Sequence, residues 1–202
     1  METVLVEKEN IEDVVKVLQH GQVVAFPTET VFGLGVKFGS LEYLEKIYEL
    51  KNRDHSKAVT LMVPRKEDIE QYAYVDEKTK KVINAFMPGM ITLILKKKDL
   101  IDDSYTAGLK TIGIRIPDDP FVLQLLEKVG PMLVTSANIS GTPALLNDQE
   151  VYETFQGRIP LIVRGKCVNN LASTVVQVDE EVRILRQGLI SQEMIEEVLK
   201  WK

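Results

Sequence analysis

Apolar residues recur along this chain with two periods. Ile11, Val14, Val15 and Leu18 return at helical spacing, which predicts a helix over 10–20 with Asn10 as cap and Gly21 as stop. Val23-Val-Ala-Phe26 is an unbroken apolar run, read as a short buried strand that runs into Pro27. Leu41, Leu44, Ile47 and Tyr48 mark a second helix over 40–52, capped by Ser40. Strands are predicted at 58–63, 91–95, 111–116, 132–135, 160–163, 174–178 and 182–186, and helices at 76–86 and 119–128. Pro64, Pro88-Gly89 and Pro117 punctuate these segments. Ser191 caps a last helix with Met194, Ile195, Val198 and Leu199 inward. Between the first strand and second helix, Pro27–Gly35 is polar and glycine-rich and reads as a turn. Strands and helices mix without strict alternation. The pattern therefore predicts an α/β fold on a mixed, twisted sheet rather than a purely parallel one.

Composition narrows the class. A chain of 202 residues, 45% hydrophobic and 27% charged, predicts one globular domain over 1–202 with a full core. No apolar stretch is long enough for a membrane span, and the N-terminus lacks the pattern of a signal peptide. The single cysteine, Cys167, excludes an intrachain disulfide and fits a reducing cytoplasm. Two histidines and one cysteine argue against structural zinc. A net charge of −5 argues against nonspecific coating of nucleic acid, though a local basic cleft is compatible with it.

Two polar patterns far apart carry candidate chemistry. Lys51 and Arg53 stand two apart at the C-terminal end of the second predicted helix, where cations are favoured. Ser136 and Asn138, followed by Ser140-Gly141, stand at the end of a predicted strand. Together they can surround a phosphate or carboxylate with charge and hydrogen-bond donors. Each pattern alone also reads as a solvated helix end or a turn. Thr111 and Arg115 lie four apart on a strand and share one face, with Arg115 serving either an anion or an ion pair. No P-loop occurs, and Gly33-Leu-Gly35 lacks the third glycine of a dinucleotide fingerprint. His55 reads as a surface residue.

Five motifs in order resemble the YrdC/Sua5 family: Pro27–Gly35, Lys51-Asn-Arg53, Ser136-Ala-Asn138-Ile-Ser140-Gly141, the run Leu171–Val176 with Ser173 and Thr174, and Ile184-Leu-Arg186-Gln-Gly188. They span about residues 20 to 190. The resemblance implies an open twisted sheet flanked by helices around a large concave groove, in the short, single-domain form. It implies an L-threonylcarbamoyladenylate synthase, a nucleotidyltransferase using threonine, bicarbonate and ATP, with Mg²⁺ carried on the ATP phosphates. The product feeds tRNA threonylcarbamoyladenosine formation through a downstream transfer complex. It implies catalytic roles for Lys51, Arg53, Ser136 and Asn138. It places Arg53, Lys57, Thr111, Ser136, Ser140 and Arg186 at the nucleotide, and Thr30, Arg115 and Ser173 at threonine. Lys57 stands where members often carry an ATP-contacting Asn, and Met62 where many carry a substrate-contacting His. Two other readings stand beside it: a weak RNA-binding module using the groove, and a paralogue that acts on another small acceptor, suggested by Lys57, Ala58 and Met62.

Overall fold

The computed structural model describes residues 1–200. Ten strands among them form one sheet: β1 (Val4–Val6), β2 (Val24–Phe26), β3 (Gly33–Lys37), β4 (Thr60–Met62), β5 (Ile91–Lys96), β6 (Thr111–Arg115), β7 (Met132–Ser136), β8 (Leu161–Val163), β9 (Thr174–Val178) and β10 (Val182–Arg186). Their order across the sheet is β1-β8-β2-β3-β7-β4-β6-β5-β9-β10. The pairs β1·β8, β2·β8, β4·β6 and β5·β9 are parallel, and the rest are antiparallel. The sheet is mixed, as the pattern predicts.

Seven α-helices accompany it: α1 (Ile11–Gln19), α2 (Leu41–Lys51), α3 (Ile69–Tyr72), α4 (Glu77–Phe86), α5 (Pro120–Val129), α6 (Asp148–Phe155) and α7 (Gln192–Lys200). Strand alternation sorts the core onto two faces. Ala25, Leu34, Leu61, Leu93 and Ile114 face one side, packed with Leu44 and Ile47 of α2, Val82 of α4, Phe155 of α6 and Ile195 of α7. Val24, Phe26, Met62 and Val134 face the other, against Val14 and Leu18 of α1 and Val122 and Leu125 of α5. On that second side no helix of this cluster comes from beyond α1 and α5, and the face above β4, β6, β5 and β9 stands open as a groove.

Several local expectations need correction. Asn10 makes no capping bond, because the chain enters α1 through a 3-10 turn over Lys8–Asn10 that leaves Asn10 at ψ 35 rather than extended. Ser40 is extended but likewise makes no side-chain cap. Ser191 does cap, since its hydroxyl accepts from Met194 N. Met194 itself is exposed while Ile195 is buried. The largest miss is β3, which the glycines of Pro27–Gly35 disguised as part of a turn. A Cβ at Gly35 would lie 2.7 Å from the Phe26 ring, so the glycines there let two central strands close on a large side chain. β1 and α3, only 3 and 4 residues long, were also missed, and so was α6.

Candidate active site

The groove holds a cavity of about 250 Å³ walled by β3, β4, β5, β6, β7 and β9 together with the Thr28–Phe32 loop. Arg53, Arg115 and Arg186 all reach its wall, with Thr30, Ser136 and Ser173 supplying hydroxyls. Among the described residues no Asp or Glu lines it. Three guanidinium groups around one space, one of them paired with Glu29, make it a positive pocket inside a net acidic protein.

Local backbone places each cation. α2 ends at Asn52 in the left-handed region (φ 49), and the turn closes through Arg53 N donating to Tyr48 O. That reversal swings Arg53 off the helix axis and into the groove. Its Nε donates to Lys57 O at 3.0 Å and its Nη2 to Ala58 O at 2.8 Å. Arg186 sits just past an irregularity in β10, where the register with β9 shifts. Its Nε and Nη2 donate to Ser173 O at 3.1 and 2.9 Å, and Nη2 also to Ser173 Oγ at 3.1 Å. Burial, reinforced by the charges of Arg115 and Arg53, lowers the Arg186 pKa from its ordinary value. Burial likewise lowers Arg53.

Arg115 is 5% exposed and takes the ion-pair role foreseen for it. Its Nη2 pairs with Glu29 Oε1 at 2.6 Å and donates to Thr30 Oγ1 at 3.1 Å, and its Nε donates to Gly89 O at 3.3 Å. Its Nη1 donates to no protein acceptor among the described residues and remains available to an anion. Glu29 Oε1 also accepts from Asp118 N, which locks the ion pair against the start of α5.

Lys51 departs from expectation. It lies at the end of α2 but is 1% exposed, not a solvated helix terminus. Its ammonium donates to Ser136 O at 2.5 Å, Asn138 O at 2.7 Å and Asn138 Oδ1 at 3.0 Å. Three protons meet three protein oxygens, so none is left for a ligand. Burial, then Arg53, pushes this amine down to about 8, which leaves it charged at neutral pH. Asn138 is equally spent: Nδ2 donates to Ile139 O and Thr142 O, and Oδ1 accepts from Lys51 and Ser136 Oγ. Both residues build the turn that presents Ser136; neither lines the cavity.

The remaining expected residues divide. Thr30 and Ser173 lie on the cavity wall. Thr111 shares a strand face with Arg115, yet lines a neighbouring depression with Tyr74 and Gln177, joined to the cavity through Ile94. The Lys57 side chain is exposed and off the wall; its carbonyl serves the site by holding Arg53. Ser140 is also off the wall, and its buried Oγ has no protein partner. His55 stacks on Tyr48 and contacts Glu45, a surface role as read. Sequence reasoning missed Thr28, Glu29 and Thr92. Thr92 pairs with Ser173, Oγ to Oγ, at 2.8 Å across β5 and β9, a contact that no local pattern encodes. A buried arginine in a strand signalled that an acid must exist, but not which one.

The Sua5/YciO/YrdC family model, described as "Telomere recombination", matches residues 16–188. A threonylcarbamoyl-AMP synthase of Bacillus subtilis is 37% identical over 90% of this chain, which spans about half (54%) of that relative. One from Vibrio campbellii is 32% identical over 89% of this chain and 99% of its own length. The structure of P. abyssi Sua5 complexed with L-threonine superposes with a TM-score of 0.91 at 31% identity, covering 98% of this chain and 60% of that one.

Proposed function

The chain belongs to the Sua5/YciO/YrdC family, and we propose that it is an L-threonylcarbamoyladenylate synthase, forming threonylcarbamoyl-AMP and pyrophosphate from L-threonine, bicarbonate and ATP. The observation that carries this reading is the convergence of Arg53, Arg115 and Arg186 on a cavity whose wall also bears Thr30, Ser136 and Ser173. A reaction that crowds a carboxylate, a carbamate and a triphosphate into one space needs preorganised cations such as these three guanidinium groups.

Arg115, through its free Nη1, holds the threonine carboxylate, while Thr30 and Ser173 line the rest of the amino-acid pocket. Threonine's neutral amine attacks the carbon of bicarbonate; the N–C bond forms, a C–O bond breaks, and the hydroxyl leaves as water with one amine proton, giving N-carboxythreonine. The new carboxylate then attacks the α-phosphorus; one P–O bond forms, the bond to the β-phosphate breaks, and pyrophosphate leaves. Arg53 and Arg186 meet the phosphate charge, and Ser136 orients the nucleotide. Lys51 and Asn138 act at one remove by holding the Ser136 turn. Among the described residues no carboxylate lines the cavity wall, so Mg²⁺ would be carried by the ATP phosphates and would neutralise their charge there. The product would be consumed by an enzyme that transfers the threonylcarbamoyl group to tRNA.

Incubation of the purified protein with ATP, bicarbonate and each of several amino acids, followed by pyrophosphate assay and mass spectrometry of the adenylate, tests the reading. Release should require threonine and bicarbonate together. Equal release with threonine omitted would remove the assignment.

A further inference from the structure

The hydroxyls of Thr28 and Thr30 are 2.8 Å apart, and their other partners decide which one donates. Thr28 Oγ1 lies 2.8 Å from Val31 O, and a carbonyl only accepts, so the single hydroxyl proton of Thr28 goes there. Thr28 Oγ1 also accepts from Thr30 N at 3.1 Å. In the close hydroxyl pair Thr30 must therefore be the donor. Thr30 Oγ1 then accepts from Arg115 Nη2 at 3.1 Å, which leaves it one lone pair and no proton. Thr30 lines the cavity. It can meet a ligand only as an acceptor.

We propose that Thr28 is a positioning residue that fixes Thr30 as a one-way acceptor, so that the site reads an α-amino acid by its amine. The inference rests on the function proposed above and refines it. A ligand carboxylate, itself an acceptor, is turned away from Thr30 and toward Arg115 Nη1. An amine N–H is drawn to the remaining Thr30 lone pair. The chain from ligand N–H through Thr30 and Thr28 to Val31 O runs in one direction, and each link polarises the next. Thr28 and Thr30 are both buried, which keeps water from reversing it. The result sorts the two charged ends of a zwitterion within one small site.

The test is calorimetric titration of L-threonine and of its deamino analogue, (R)-3-hydroxybutanoate, with a nonhydrolysable ATP analogue saturating. Wild type should prefer threonine by about tenfold or more, the equivalent of one net hydrogen bond. Thr28→Val frees the Thr30 proton. Threonine affinity should then fall by about tenfold while analogue affinity holds or rises, and Thr28→Ser should restore the preference. Parallel losses for both ligands in Thr28→Val, or no change in either, would overturn the proposal. Should Thr28→Val fail to fold, the wild-type arm still decides: equal affinity for threonine and analogue overturns the amine reading while leaving the synthase assignment standing. Absence of threonine binding by wild type overturns both.

Discussion

Replacing Lys51 by Met tests whether this amine holds the site or touches the substrate. Met fills a similar volume and removes the ammonium. Ser136 O, Asn138 O and Asn138 Oδ1, now 2.5, 2.7 and 3.0 Å from Nζ, each lose a charge-assisted partner. Such bonds contribute roughly 1.5–3 kcal/mol each when considered singly. Their sum overstates the loss, because the burial that lowers this amine to about 8 is relieved by the same substitution. A net destabilisation of about 3 kcal/mol follows, or a fall in Tm of roughly 6–12 °C at this chain length. ATP affinity should fall with it, as the Ser136 turn loosens. The pH dependence has a defined sign. The folded amine titrates near 8, below its ordinary 10.5, so the native state releases the proton first. Wild type should therefore gain stability relative to Lys51→Met as pH rises from about 8 to 10.5. Scanning calorimetry at several pH values and an ATP titration supply the readouts. A variant that melts like wild type but loses turnover would refute the reasoning and return Lys51 to direct phosphate contact.

Three further substitutions separate the fold from the two ligands. Gly35→Ala drives a Cβ to 2.7 Å from the Phe26 ring and should destabilise by about 1–3 kcal/mol; an unchanged urea midpoint would show that Phe26 yields freely. Arg115→Lys keeps charge but loses the planar group, so threonine affinity should drop with ATP affinity nearly unchanged. Arg186→Ala should weaken both ligands, because the same guanidinium holds Ser173 O and Oγ; threonine binding unaltered in that variant would show that this link is idle.

The hydrophobic pattern determined much of this protein. Helical spacing in Ile11–Leu18 and Leu41–Tyr48 and the apolar runs at 91–95 and 111–116 dictate their elements, because each buries its own periodic face. The absence of strict alternation announced a mixed sheet. Five ordered motifs pointed to the family, and through it to Arg53, Arg115, Ser173 and Arg186, all of which the fold brings to one cavity. Other features were decided only in three dimensions. Pro27–Gly35 reads locally as a turn, yet its last three residues open a central strand, because two glycines without Cβ atoms fit beside Phe26 and Val134 of the neighbouring strands. Lys51 reads as a solvated helix end, yet is buried because the end of β7 and the turn after it deliver three oxygens from 85 and 87 residues away along the chain. The Glu29–Arg115 pair spans 86 residues and the Thr92–Ser173 pair 81. A side chain's nearest neighbours in sequence set its backbone preference. Whether its charge is spent inside the protein or offered to a ligand depends on partners that only the folded sheet brings within hydrogen-bonding distance.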